Sequence, residues 1–215
     1  MAHFKHASFV SYRHGQSTLK QAFIEQFTAG VSAELEALRD EKLYVDVERL
    51  TGGDFFNDGL ARAVYESATM IIVYQPNYFD ISHPYCAREY RGMCELERER
   101  VAGLADPQER NHSLIIPVIY RGERELPADL RDKRQYHDFS AFTLVGRGLS
   151  RHREFAPKLR EIAEYIHERC CALEVNDVLF ADAETFRLPS NEEACQWMQG
   201  LNLPRPKFPI AGGGR

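Results

Sequence analysis

Four short apolar runs rich in β-branched or aromatic residues, separated by stretches of helical periodicity, constrain this 215-residue chain more than any other feature. The runs are Ser8-Phe9-Val10-Ser11-Tyr12, Leu43-Tyr44-Val45-Asp46-Val47, Met70-Ile71-Ile72-Val73-Tyr74 and Leu114-Ile115-Ile116-Pro117-Val118-Ile119-Tyr120, with Tyr136-His137-Asp138-Phe139 as a weaker fifth. Between the first two, Leu19, Phe23, Phe27, Val31 and Leu35 recur at a spacing that places them on one helix face, with Ser17 as the N-cap. Leu60, Ala61, Val64 and Ala68 form a second helical pattern. A third opens at Pro84, a favoured first-turn residue, and passes Cys86, Tyr90 and Met93 toward Leu104. The last comprises Phe155, Leu159, Ile162, Ile166 and Cys170. Continuous apolar strands alternating with helices mark a parallel sheet covered on both faces. Pro117 removes a ladder donor and predicts incomplete pairing near that point.

Sheets of this size are commonly flavodoxin-like, doubly wound α/β with strand order 2-1-3-4-5, and that is the fold expected here. The alternation stops near Glu174, so residues 1–173 are expected to form one domain and residues 174–215 a short C-terminal extension. The extension carries one helical pattern around Glu192 to Met198, where Trp197 and Met198 are suited to pack on the core, and then a Pro/Gly-rich tail. The start of the chain lacks a signal-peptide pattern and no apolar run reaches membrane-spanning length, which predicts a cytoplasmic protein with no membrane partner. Five cysteines without a CxxC pair agree with reduced thiols. The net charge of −5 argues against direct nucleic-acid binding, although residues 121–160 are locally basic, either as a solvated surface or as a docking face for an acidic partner.

In such a sheet ligands bind beyond the carboxyl ends of the strands where the order reverses, between strands one and three. That rule selects the loop Arg13-His14-Gly15-Gln16 and the loop from Asn77 through Tyr78, Asp80, Ser82 and His83 to Pro84. Glu89 follows just inside the third helix, four residues after Tyr85, at the mouth of the expected crevice. The helix dipole favours an ionised carboxylate there. An acid in a first helical turn also serves helix stability alone, and charged residues after a strand are commonly solvated, so position by itself leaves both readings open.

At these residues the chain resembles the Toll/interleukin-1 receptor (TIR) domain family. Ala7-Ser8-Phe9-Val10-Ser11-Tyr12-Arg13-His14 is similar to the first family box, and Gly52-Gly53-Asp54-Phe55-Phe56 to the loop after the second strand. The most specific stretch runs from Asn77-Tyr78 through Ser82 to Tyr85-Cys86-Ala87-Arg88-Glu89 and resembles the family pattern of Asn-Tyr, a nearby Ser, and aromatic-Cys-x-x-Glu, with Tyr85 in place of the usual Trp. Leu114-Ile115-Ile116-Pro117-Val118 is similar to the family's fourth strand, proline included. The resemblance implies an enzyme that cleaves the nicotinamide–ribose bond of NAD⁺, giving ADP-ribose or a cyclic ADP-ribose-type signal, with Glu89 catalytic. It implies substrate contacts from Tyr12, Arg13, His14, Tyr85 and Cys86, with Phe55 and Phe56 on a loop over the site. NAD⁺ would be the substrate, with no resident cofactor or metal. A Thoeris-like bacterial anti-phage setting is implied, with homo-oligomerisation through TIR subunits and a downstream effector that senses the nucleotide product.

The alternative is a non-enzymatic TIR scaffold that signals by assembly. A phosphoacceptor receiver domain shares the fold class but needs acids where this chain has Arg13-His14 and Tyr74-Gln75. No GxxxxGK[ST] or GxGxxG fingerprint follows a strand, and no His/Cys group has metal-ligand spacing.

Overall fold

The computed structural model describes residues 4–46, 54–142, 148, 152–176 and 185–201, the helix backbone alone over 54–57. Five parallel strands form one sheet of order β2-β1-β3-β4-β5: β1 (His6–Tyr12), β2 (Lys42–Val45), β3 (Ser67–Tyr74), β4 (Ile115–Ile119) and β5 (His137–Asp138). The expected fold class and strand order are those observed. Every residue of β3 and β4 is buried, as continuous apolar runs require. Helices α1 (Thr18–Glu36) and α5 (Phe155–Val175) pack together on one face, and α2 (Asp54–Tyr65) and α3 (Tyr85–Ala102) on the other. A single turn, α4 (Ala128–Arg131), lies between β4 and β5, and α6 (Asn191–Gly200) packs on α3. Val47, at the end of the second expected strand, lies outside the described residues.

Helix α1 buries Phe23, Phe27, Val31 and Leu35 against the sheet and α5, but Leu19, expected on that face, is 44% exposed. Leu19 lines a cavity with Gln75, Asn77, Tyr120 and Arg121, which follow the carboxyl ends of β3 and β4. Lys20 takes the buried position instead. At Gly30 a Cβ would meet the Leu159 side chain, so α1 and α5 approach closely at that residue and a larger side chain there would require Leu159 to move. Ser17 caps α1 as expected, its Oγ accepting from Lys20 N at 3.4 Å. Ser17→Ala is expected to lower stability by about 1 kcal/mol, read as a drop in denaturation midpoint at constant m-value. An unchanged midpoint would show that solvent satisfies that donor equally well.

Ala68, expected to end the second helical pattern, belongs to β3, and α3 starts one residue after Pro84, which is its N-cap. The expected break at Pro117 is not seen in the ladder to β3. Leu114 O accepts from Met70 N and Tyr120 N donates to Tyr74 O, so the even positions bond β3 and the odd ones face β5. Pro117 therefore turns its missing donor toward β5, which pairs only from His137, opposite Val118. The proline is accommodated because β5 is two residues long rather than the four the sequence suggests. Among the described residues no helix is long and apolar enough to cross a membrane.

Candidate functional site

Successive residues of a strand point to opposite faces, and at the carboxyl end of β1 this alternation separates Ser11 from Tyr12. Tyr12 turns to the α1 face, where its ring stacks on His14 with centroids 4.4 Å apart and planes 19° apart, and its hydroxyl donates to Asp46 O at 3.2 Å. A cavity of about 860 Å³ lies there, lined by Tyr12, His14, Gln16, Lys20, Ile24 and Val45 among others. A neighbouring one of about 580 Å³, sharing His14, Gln16 and Lys20, extends to Arg13, Asn77 and Arg121. Both volumes lie in the range of small-molecule sites. Burial pushes the Lys20 ammonium below its ordinary value, and nearby Arg13 acts in the same direction. Its Nζ donates to the Arg13 carbonyl and so ties the β1–α1 loop to α1.

Ser11 turns to the α3 face. Its Oγ donates to Glu89 Oε2 at 2.5 Å and lies 2.5 Å from Tyr78 OH. All three residues are buried, Glu89 to 1% exposure. The glutamate therefore lies beneath the crevice and not at its mouth as expected. A non-local covering accounts for the difference. The β3–α3 loop lays Tyr78 and Phe79 over it, fixed by Tyr78 N donating to Gln75 O at 2.8 Å and by edge contacts of Phe79 with Tyr78 and Tyr90. Arg13 then closes that loop from the β1–α1 loop, donating to Asp80 Oδ2 at 3.1 Å and to His83 O at 3.4 Å. Burial raises the Asp80 carboxyl, but two hydrogen bonds from Ser82 and the charge of Arg13 outweigh it and hold the group below its ordinary value.

Residues 185–201 pack on the outside of α3 and of this loop. Arg88 Nε donates to Pro189 O at 2.5 Å, and Trp197 packs its ring on Phe79 and Tyr90 with centroids 5.3 and 5.5 Å away. Met198 is buried beside it. Ser190 starts α6 with a reciprocal capping box to Glu193. At Gly92 of α3 a Cβ would stand 2.6 Å from Leu188 Cδ2, so the glycine is what lets the segment lie flat on the helix. Gly92→Leu is expected to cost about 1–3 kcal/mol by overpacking and to lift the segment. The chain's one tryptophan, Trp197, reports this as a red-shifted emission, whereas unchanged emission and stability would remove the close-packing role of Gly92.

Of the residues expected at the site, Tyr12, Arg13 and His14 meet around the two cavities. Glu89, Tyr85 and Cys86 line neither: Tyr85 is 41% exposed at the start of α3, and Cys86 is buried in the core. Helical geometry explains this, because a face shared by Tyr85 and Glu89 climbs from solvent to the interior as α3 enters beneath the loop. The side chains of Phe55 and Phe56 lie outside the described residues, though both belong to α2. Sequence reasoning placed Tyr78 and Asp80 in the ligand-side loop without a contact for either, and singled out neither Ser11 nor Lys20 as a site residue. Ser11 was nevertheless findable, since strand alternation from Tyr12 places it toward the helix that carries Glu89. Among the described residues no group of three or more His, Cys, Asp or Glu side chains is arranged to hold a metal ion.

The sequence profile of the TIR domain family matches residues 9–147. Among solved structures, the TIR domains in the structure of the activated Roq1 resistosome directly recognizing the pathogen effector XopQ align with 90% of this chain and 96% of that chain, at 18% identity and a TM-score of 0.34. No curated protein matches the chain.

Proposed function

The chain belongs to the TIR domain family, and from that premise we propose that it is an enzyme cleaving the nicotinamide–ribose bond of NAD⁺, with Glu89 as its catalytic carboxylate. The observation that carries the proposal is a glutamate 1% exposed, hydrogen-bonded through Oε2 to Ser11, at the point where the strand order reverses. A carboxyl group is expensive to bury, and a scaffold has no use for that expense at the ligand end of the sheet. In the proposed reaction the C1′–N1 bond breaks and its electron pair neutralises the pyridinium nitrogen, so nicotinamide departs without a proton. Positive charge then develops on the ribosyl centre, which Glu89 stabilises as a carboxylate does in glycoside cleavage. Tyr12, Arg13 and His14 bind the nucleotide; NAD⁺ is the substrate and no resident cofactor takes part. Opening of the β3–α3 loop, with separation of Arg13 from Asp80, admits the ribose. Attack by water yields ADP-ribose, and attack by a group of the same molecule yields a cyclic product. A cyclic product would serve a separate effector in bacterial anti-phage defence.

A second reading, a non-enzymatic scaffold, is favoured by Ile81 and Tyr85, large hydrophobics 51% and 41% exposed beside the site, which suit contact with another TIR subunit. Incubation of the purified full chain with NAD⁺, followed by separation of products, decides between them. Nicotinamide release supports the enzyme; its absence in both the dispersed and the assembled protein supports the scaffold.

A further inference from the structure

We infer that Ser11 and Tyr78 are positioning residues for Glu89, forming a directed hydroxyl chain that fixes one carboxylate oxygen; the inference rests on the enzymatic reading of Glu89 given above. Ser11 Oγ has a single hydrogen, and it is given to Glu89 Oε2 at 2.5 Å. The 2.5 Å contact between Ser11 Oγ and Tyr78 OH must therefore be supplied with a hydrogen by the tyrosine. The chain then runs one way, from Tyr78 to Ser11 to Glu89. Each bond polarises the next toward the carboxylate, in surroundings where all three side chains are buried.

The two hydroxyls come from elements of different character. Ser11 sits on β1 in register with Ile72 of β3, and its backbone is pinned by the sheet. Tyr78 comes from the β3–α3 loop, packed edge-on against Phe79 with centroids 4.9 Å apart. Opening of the loop thus removes Tyr78 from the chain while Ser11 stays in place. Ser11 is the permanent anchor of Glu89, and Tyr78 strengthens it when the loop is closed. A carboxylate anchored through one oxygen to a strand keeps its second oxygen in a fixed direction, which is what a group stabilising charge at one ribosyl carbon requires.

The test uses the full chain with Ser11→Ala, Ser11→Thr and Tyr78→Phe, assayed with NAD⁺ at saturation and below it. Ser11→Ala is expected to lower kcat roughly 10- to 100-fold, the worth of one hydrogen bond to a charged group, with KM little changed. Tyr78→Phe is expected to lower kcat less, and Ser11→Thr, which keeps the hydroxyl, to recover most of the loss. Loss of packing alone would track thermal stability instead of the hydroxyl. A second readout is independent of turnover: the carboxylate stretch of Glu89, isolated as the infrared difference between wild type and Glu89→Gln. That band should shift in Ser11→Ala and return in Ser11→Thr. An unchanged kcat in Ser11→Ala, a change confined to KM, or an unmoved Glu89 band overturns the assignment. If the wild-type chain releases no nicotinamide, the NAD⁺ reading falls by itself and the infrared band alone decides the anchor.

Discussion

Glu89→Gln is expected to reduce NAD⁺ cleavage by about 10²- to 10³-fold or more in kcat, the scale on which a single group stabilising transition-state charge is worth. Glutamine has the same shape, and its carbonyl oxygen can still accept from Ser11 Oγ, so the local hydrogen bond is retained. What disappears is the negative charge that offsets the developing ribosyl cation. Because the carboxyl group is buried in the resting protein, its replacement by a neutral amide is expected to leave thermal stability unchanged or raised. The paired measurement is nicotinamide release and a thermal melt on the same preparations. Equal turnover by both proteins would take the catalytic role from Glu89. A melting temperature that collapsed in the variant would mean that the carboxylate serves the fold.

The second large effect is expected from Glu97→Ala, far from the proposed chemistry. Glu97 and Arg134 form a two-pronged pair, with NH1 to Oε1 and NH2 to Oε2 both at 2.7 Å. Glu97 Oε1 also accepts from Ser113 Oγ at 2.6 Å and Leu114 N at 2.7 Å, so it ties the start of β4 to α3. The Arg134 guanidinium lies over the Tyr90 ring, 5.7 Å from its centroid. Truncation leaves that guanidinium buried without its carboxylate, at a cost of about 3–5 kcal/mol in unfolding free energy. Glu97→Gln, which keeps an acceptor, should cost less. Burial pushes the Glu97 carboxyl up, but the hydrogen bond and charge of Arg134 and the bonds from Ser113 and Leu114 prevail, leaving it below its ordinary value of 4.5. A depressed carboxyl contributes stability that is present above the unfolded value and lost as pH falls through the folded one. The gap between wild type and Glu97→Ala is therefore expected to be full near neutral pH and to narrow below about pH 4.5. A gap that stayed constant across that range would show that the loss comes from packing and not from the ion pair.

The parts of the fold legible in the sequence are those decided by local pattern. The apolar runs of β1, β3 and β4, the period of Phe23, Phe27, Val31 and Leu35, and the Ser17 cap all carry their own explanation within a few residues. Leu19 follows the same period yet lines a cavity, because periodicity records which face a residue shares and not what packs against it. The length of β5 was hidden for a related reason: Pro117 on the neighbouring strand limits where pairing begins. At the candidate site topology selected the two loops and placed Glu89 beside them, but it did not show the depth of Glu89. Its covering depends on Tyr78 and Phe79 from one loop and on Arg13 reaching Asp80, and Trp197, from far downstream, backs Phe79. No local pattern marks Leu188 as the partner of Gly92.

The opposed directions of Ser11 and Tyr12 at the end of β1 have a consequence for ligand size. Glu89 lies on one side of the strand, beneath the β3–α3 loop, and the Tyr12–His14 stack on the other. One molecule that engages both must bend over the strand terminus like a saddlebag, with a load on each flank. A compact nucleoside would fill only one flank at a time, whereas a dinucleotide has two heads joined by a flexible pyrophosphate. If the proposed NAD⁺ reading holds, the end of β1 would act as a gauge of length, and two half-sized ligands, each complementary to its own flank, would be expected to bind together without competing.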